Sequence, residues 1–356
     1  MSSSHLRAAA ALAATAAALF VTACSGSTPA TTSAPASTLS STRTTRSAQS
    51  ASLGSYKINT SSIMVAGLSS GAFLAVQLEY AYSKTFKGSA IFAGGPYFCA
   101  EDDEALALTQ CTDDVPAIPL SVIEQDFNNA AAFGYDNPTS NLNGQKSYLF
   151  SGLDDTTVYQ SVMKALNTED AHYGIATTTN FTTAAGHGWV TPDVSTSCAT
   201  TASPYLINCG FDAEQTFLTL LYGTLNARNN GTLTGSLLEF NQNPFVAGGV
   251  AATYSMDNNG WLYVPAACAS GSTCKLLVAL HGCAQSYTNV GNAFVTESGL
   301  NEWADTNDLI VLYPQAIPTT YNPYGCWDWW GYTGSDYSAT EGIQMEAIDG
   351  MVQHLI

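Results

Sequence analysis

Positive charge is scarce in this sequence: ten Lys and Arg stand against 28 Asp and Glu over 356 residues, a formal net charge of −18. So acidic a surface repels phosphate backbones, which argues against nucleic acid as a partner. Histidine is scarce too, with five in the chain. There is no Cys-x-x-Cys pair and no His–Cys cluster at ligand spacing, so no metal or cofactor is expected. The apolar stretch within residues 1–20 is too short and too Ala-rich to make a good membrane span. No internal repeat is visible. Apolar side chains are plentiful: 46% of residues, with 18 Tyr, 14 Phe and 6 Trp, enough for a sizeable core.

The amino terminus reads as a targeting segment over 1–23, with Arg7 ahead of the apolar stretch. Val21-Thr22-Ala23-Cys24 resembles a lipoprotein cleavage site at which Cys24 would be acylated, giving a lipid anchor; the alternative is an ordinary signal peptide. Residues 24–54 are mostly Ser, Thr, Ala and Pro with two Arg and no acid, a tether unable to bury enough apolar surface to order itself. An exported protein follows, lipid-anchored at the cell envelope or secreted. Setting Cys24 aside leaves eight cysteines for an oxidising compartment. Pairing sequence neighbours gives Cys99–Cys111, Cys198–Cys209 and Cys268–Cys274, and leaves Cys283 with Cys326.

From residue 55 to 356, short apolar runs alternate with helix-length segments, the pattern of an α/β domain with a mostly parallel central sheet flanked by helices. Strands are expected at 63–66, 89–93, 147–151, 175–179, 260–264, 276–281 and 309–313. Helices are expected after Ser69 and over 157–167, 213–226, 292–306 and 340–355. Residues 191–250, rich in Thr, Asn and Gly, read as a cap or long excursion.

Gly67-Leu68-Ser69-Ser70-Gly71 follows the first strand and opens a helix. Glycines on both sides of a serine permit the tight strand-to-helix turn that lifts a nucleophilic hydroxyl out of a sheet. A serine needs a base, and a carboxylate to orient that base. His187, in a Gly-flanked loop, is the candidate base; His5, His172, His281 and His354 sit in less suitable places. The acid belongs between Ser69 and His187 at a strand end, where Asp154 and Asp155 lie. The spacing from Gly152 to Val158 favours Asp155, with Asp154 as a helix cap.

Ester attack creates an oxyanion that needs preset N–H donors. One is the amide after the nucleophile, Ser70. The second normally comes from a His-Gly loop upstream of the elbow. Here Leu276-Leu-Val-Ala-Leu-His281-Gly282-Cys283 lies more than two hundred residues downstream. A circular permutation accounts for this: joining residue 356 to residue 55 restores the usual order.

These residues resemble the single-domain, circularly permuted polyhydroxybutyrate depolymerases of the α/β-hydrolase esterases. The resemblance rests on the serine motif, Phe150-Ser-Gly-Leu-Asp-Asp155-Thr-Thr-Val, Gly-His187-Gly, Leu280-His-Gly-Cys283-Ala-Gln, the run from Trp303 to Gln315, and the run from Asn322 to Tyr332. It implies a Ser69–His187–Asp155 triad, oxyanion donors at Ser70 and Cys283, and a short-chain poly(3-hydroxyalkanoate) or its oligomers as substrate. Trp327 is read either as core packing or as an aromatic wall gripping the polyester. Two other functions share parts of the pattern: an acetyl-xylan or feruloyl-type carbohydrate esterase, and a non-catalytic surface binding protein on a hydrolase scaffold. Oligomeric state is not legible.

Overall fold

The structure, a computed structural model, describes residues 51–356. The expected targeting segment, the expected acylation site Cys24 and the expected tether up to residue 50 lie outside the described residues. The apolar runs form strands β1 (Ile58–Leu68), β2 (Gly88–Phe92), β3 (Lys146–Phe150), β4 (Ala176–Asn180), the two-residue β5 (Trp189–Val190) and β6 (Leu206–Ile207), β7 (Ser236–Asn241), β8 (Asn259–Val264), β9 (Cys274–Leu280) and β10 (Leu309–Tyr313). The longer helices are α1 (Ser70–Ala81), α2 (Leu120–Phe133), α3 (Gln160–His172), α4 (Ala213–Tyr222) and α5 (Ile343–Leu355).

Eight strands make one sheet in the order β4-β3-β2-β1-β9-β10-β8-β7. Pairing is parallel from β4 through β10, and antiparallel where β8 joins β10 and β7 joins β8. The near-continuous apolar runs of β1, β9 and β10 are explained by burial on both faces. Ile63, Val65, Leu276, Val278, Leu280, Ile310 and Leu312 point into one core with Leu74 and Leu78 of α1 and Ile348, Met351 and Leu355 of α5. Met64, Ala66, Leu277, Ala279 and Val311 face the other, with Phe217 and Leu218 of α4 and Trp303. Each large apolar side chain so buried stabilises the fold by roughly 1.5–3 kcal/mol.

The order of the sheet places β9, from late in the chain, directly beside β1. At the other end of these strands the Tyr56 N–H donates to the Leu355 carbonyl at 2.7 Å, so the entry to β1 and the exit of α5 are adjacent. Packed structure begins before residue 55: Leu53 is buried, and the Ala51 carbonyl accepts from Asn241 N–H at 3.0 Å. Leu53, a large apolar residue following polar tether, is the physical reason.

Residues 191–250 contribute to the sheet domain itself, because α4 packs on the sheet and β7 forms its edge. The helix expected over 292–306 is two short helices, Ala293–Glu297 and Leu300–Ala304, parted at Gly299 with φ 80°. The disulfides are Cys99–Cys111, Cys198–Cys209, Cys268–Cys274 and Cys283–Cys326, as sequence proximity suggested. Among the described residues no helix is long and apolar enough to cross a membrane.

Candidate active site

The Gly67–Gly71 turn is sharp because two backbones pass at near-contact. A Cβ on Gly67 would lie 2.1 Å from the Gly71 carbonyl oxygen, and one on Gly71 would lie 2.4 Å from that of His281. Real side chains do not tolerate such distances, so both positions require glycine. The second contact also seats α1 directly on the end of β9. Between the glycines Ser69 is held at φ 56°, ψ −122°, a conformation that costs on the order of 1–3 kcal/mol for a non-glycine residue. Its N–H is tied to the Phe92 carbonyl at 2.9 Å, and its side chain lines a cavity at the α1 amino terminus.

His187 reaches that cavity from the loop between β4 and β5. Its Nδ1 lies 2.8 Å from Asp155 Oδ2, and both residues are buried. The other Asp155 oxygen accepts the N–H groups of Thr157 (2.8 Å) and Val158 (3.0 Å), which lock the carboxylate. Asp154 is exposed, and its backbone N–H donates to the Ala185 carbonyl at 3.0 Å. That bond and a Gly152 packed against Ala185 weld the acid turn to the base loop. Ser69 and His187 thus line one cavity with Asp155 buried behind the imidazole, although 118 positions separate the serine from the histidine. No hydrogen bond joins the Ser69 hydroxyl to another group among the described residues.

The loop after β9 closes the far side. A Cβ placed on Gly282 would sit 3.2 Å from Ser69 Cβ, so this loop lies against the serine. Cys283 lines the cavity and is bonded to Cys326, whose neighbour Trp327 donates its N–H to Ser70 Oγ at 3.2 Å. The backbone N–H groups of Ser70 and Cys283 have no partner among the described residues.

The cavity measures about 350 Å³. Phe73, Leu108, Val158, Tyr324, Trp329 and Trp330 give it a mostly apolar wall. Trp329 stacks on Phe73 with centroids 4.4 Å apart, and its indole N–H has no partner. Trp327 is not part of this wall. It is fully buried and packs on His281 at 5.3 Å, so its core reading holds and its substrate-binding reading is corrected. An aromatic run in a loop has no period from which inward and outward residues could be told. The lining from segments 104–112 and 201–205 carried no motif and was not foreseen.

No protein-family model matches the chain. It is 44% identical over 309 residues to the poly(3-hydroxybutyrate) depolymerase of Delftia acidovorans, covering 85% of this chain but 61% of that protein's length. It is 40% identical over 325 residues to the polyhydroxybutyrate depolymerase of Talaromyces funiculosus, covering 85% and 92% respectively. The crystal structure of PHB depolymerase from Penicillium funiculosum matches with a TM-score of 0.77 at 38% identity, over 86% of this chain and 98% of that one. A serine-to-alanine PHB depolymerase complexed with R3HB trimer matches with the same TM-score and coverage at 37% identity. Sequence and sheet agree along nearly the whole length of the Talaromyces and Penicillium proteins, and on that ground this chain belongs to the polyhydroxybutyrate depolymerase family.

Proposed function

We propose that the chain is an extracytoplasmic serine esterase that cleaves short-chain poly(3-hydroxyalkanoate), or its oligomers, through an acyl-enzyme on Ser69. The observation that carries this is the buried 2.8 Å His187–Asp155 pair opening on the same apolar cavity as a strained serine. Asp155 accepts a hydrogen bond from the His187 Nδ1–H, which keeps the proton on Nδ1 and leaves Nε2 free as a base. His187 takes the Ser69 proton as the oxygen attacks the ester carbon, and the Ser70 and Cys283 amides receive the oxyanion. Collapse expels the alkoxide end of the departing fragment, which takes the proton from His187. Water, activated by the same imidazole, then frees the acid and restores the serine.

Glu104 is the one acidic or basic side chain on the wall apart from the His187 imidazole, which suits a methyl-bearing polyester better than a sugar. Trp329 and Trp330 take the gripping role first considered for Trp327. The proposal extends to the chain as a whole. Residues 51–356 are the catalytic unit, cut as a circular permutation, which the Tyr56–Leu355 contact supports. The four disulfides support export, and Cys24 is the proposed lipid attachment. A substrate panel on wild type and Ser69→Ala tests the function. Wild type should clear a polyhydroxybutyrate suspension and cleave p-nitrophenyl butyrate, and Ser69→Ala should lose about a thousandfold or more. Release of acetate or ferulate from xylan without polyester clearing would overturn the substrate, and full activity in Ser69→Ala would overturn the site.

A further inference from the structure

The cavity wall built from residues 322–333 contains no helix or strand, so side chains must hold it in place. Between Trp327 and Trp329 lies Asp328, which is 1% exposed and is not part of the lining. Its carboxylate turns back under its own chain. Oδ1 accepts the N–H groups of Gly331 (2.8 Å) and Tyr332 (3.1 Å), and Oδ2 accepts the N–H (2.8 Å) and the hydroxyl of Thr333. No salt bridge reaches it among the described residues. The turn it closes is tight: Gly331 has φ 93°, and a Cβ there would collide with the Asp102 carboxylate.

The backbone of Asp328 is clamped between two helices. Gln77 of α1 donates through Nε2 to the Asp328 carbonyl at 3.2 Å, and Gln344 of α5 accepts the Asp328 N–H on Oε1 at 2.8 Å. The Gln344 amide also donates to the Tyr332 hydroxyl at 2.8 Å, which in turn donates to the Cys326 carbonyl at 2.8 Å. These groups are buried or half-buried, so their bonds are costly to leave unmade. What the knot presents to the cavity is aromatic. Trp329 stacks on Phe73, one helical turn beyond Ser69. Trp330 meets Trp329 edge-on with centroids 5.7 Å apart, and Tyr332 backs Trp330 at 4.8 Å. The links from this segment to the oxyanion side all lie ahead of residue 328. They are the Tyr324 carbonyl, the Cys326 sulfur and the Trp327 N–H.

We propose that Asp328 is a positioning residue for polyester binding: it ties the 328–333 turn so that Trp329 and Trp330 stand ready to receive the chain, and it leaves the bond-breaking step to groups held elsewhere. This rests on the reading of the cavity as a polyester site. In Asp328→Asn the amide nitrogen cannot accept, so the donors of one oxygen lose their partner. KM for (R)-3-hydroxybutyrate trimer should rise at least about tenfold, the scale of one buried hydrogen bond to a charged group. On methyl acetate, which needs little of the wall, kcat/KM should stay within about threefold of wild type. Adding Asp328→Asn to a protein that already carries Trp329→Ala and Trp330→Ala should raise the trimer KM by less than about twofold more, because its effect passes through those rings. A trimer KM in Asp328→Asn within about twofold of wild type, an equal loss on both esters, or full additivity with the tryptophan changes overturns the proposal. If circular dichroism shows that Asp328→Asn does not fold, Thr333→Val decides, since it removes the hydroxyl donor alone. A rise of about threefold in trimer KM supports the proposal there, and no change overturns it. A normal trimer KM with both tryptophans replaced by alanine would sink the reading beneath, whereas a raised one beside a normal Asp328→Asn would sink this inference alone.

Discussion

At Ser69 the chain accepts a left-handed backbone that serine disfavours, and Gly67 and Gly71, two positions away on either side, allow the turn because they lack side chains. The acid shows the same dependence on single positions. Asp154 and Asp155 are adjacent and chemically identical, but one is exposed and the other buried against His187. Asp155→Asn removes the charge that holds the imidazole in its working tautomer and is expected to lower kcat by about ten-thousandfold, with KM little changed. Asp154→Asn should remain within about threefold of wild type. Steady-state kinetics on a soluble ester checks both, and equal effects would remove the acid from Asp155. This choice was legible in the spacing to Gly152 and Val158. The choice between Trp327 and Trp329 was not, because it depends on how a loop turns.

The elements that sequence revealed best are those whose burial repeats with a fixed period. All seven strands read from apolar runs are present within a few residues of their expected bounds. Those overlooked have weak patterns. In α2, Ile123 and Phe127 are the only buried residues of fourteen, and in β7, an edge strand, Phe240 is the only fully buried one. By contrast every residue of α1 is buried, so it carries no apolar stripe, and its position was legible only from the serine motif before it. The His-Gly loop was recognisable as a strand end followed by a turn. Its adjacency to Ser69 came from a topological argument, and Gly71, which lets α1 lie on the end of β9, is the residue that makes it physically feasible.

On the scale of the whole molecule, acidity reaches the interior. Glu79 on α1 and Glu169 and Asp170 on α3 are buried, and each keeps an oxygen without a partner. Tyr80 donates to Asp170, and Tyr97 donates its N–H to Glu169 and its hydroxyl to Asp136. No salt bridge reaches these four carboxyls among the described residues. Burial pushes Asp136 up to about 6 and Asp170 up to about 7, and drives Glu79 and Glu169 well above the usual carboxylate range. Unfolded carboxyls titrate near 4, so from about pH 4 to 7 the folded protein holds protons that the unfolded chain has released. Their contribution to stability is complete at the acid end of that window and is lost as pH rises through it. His281 acts in the opposite sense below about pH 6.5, but it is one group against four. The melting temperature should therefore fall between pH 5 and pH 8, with a shallower slope in Asp170→Asn, and a melting temperature that rises over that range would refute this. The convergence of distant segments on one hydroxyl is also a property of the whole molecule, and covalent labelling tests it most directly. A phosphonate ester that mimics the tetrahedral intermediate should modify Ser69 alone, as read by peptide mass mapping, and should react at least about a thousandfold more slowly with His187→Ala. Modification of a different residue, or an unlabelled enzyme that still hydrolyses esters in the presence of excess phosphonate, would contradict the account.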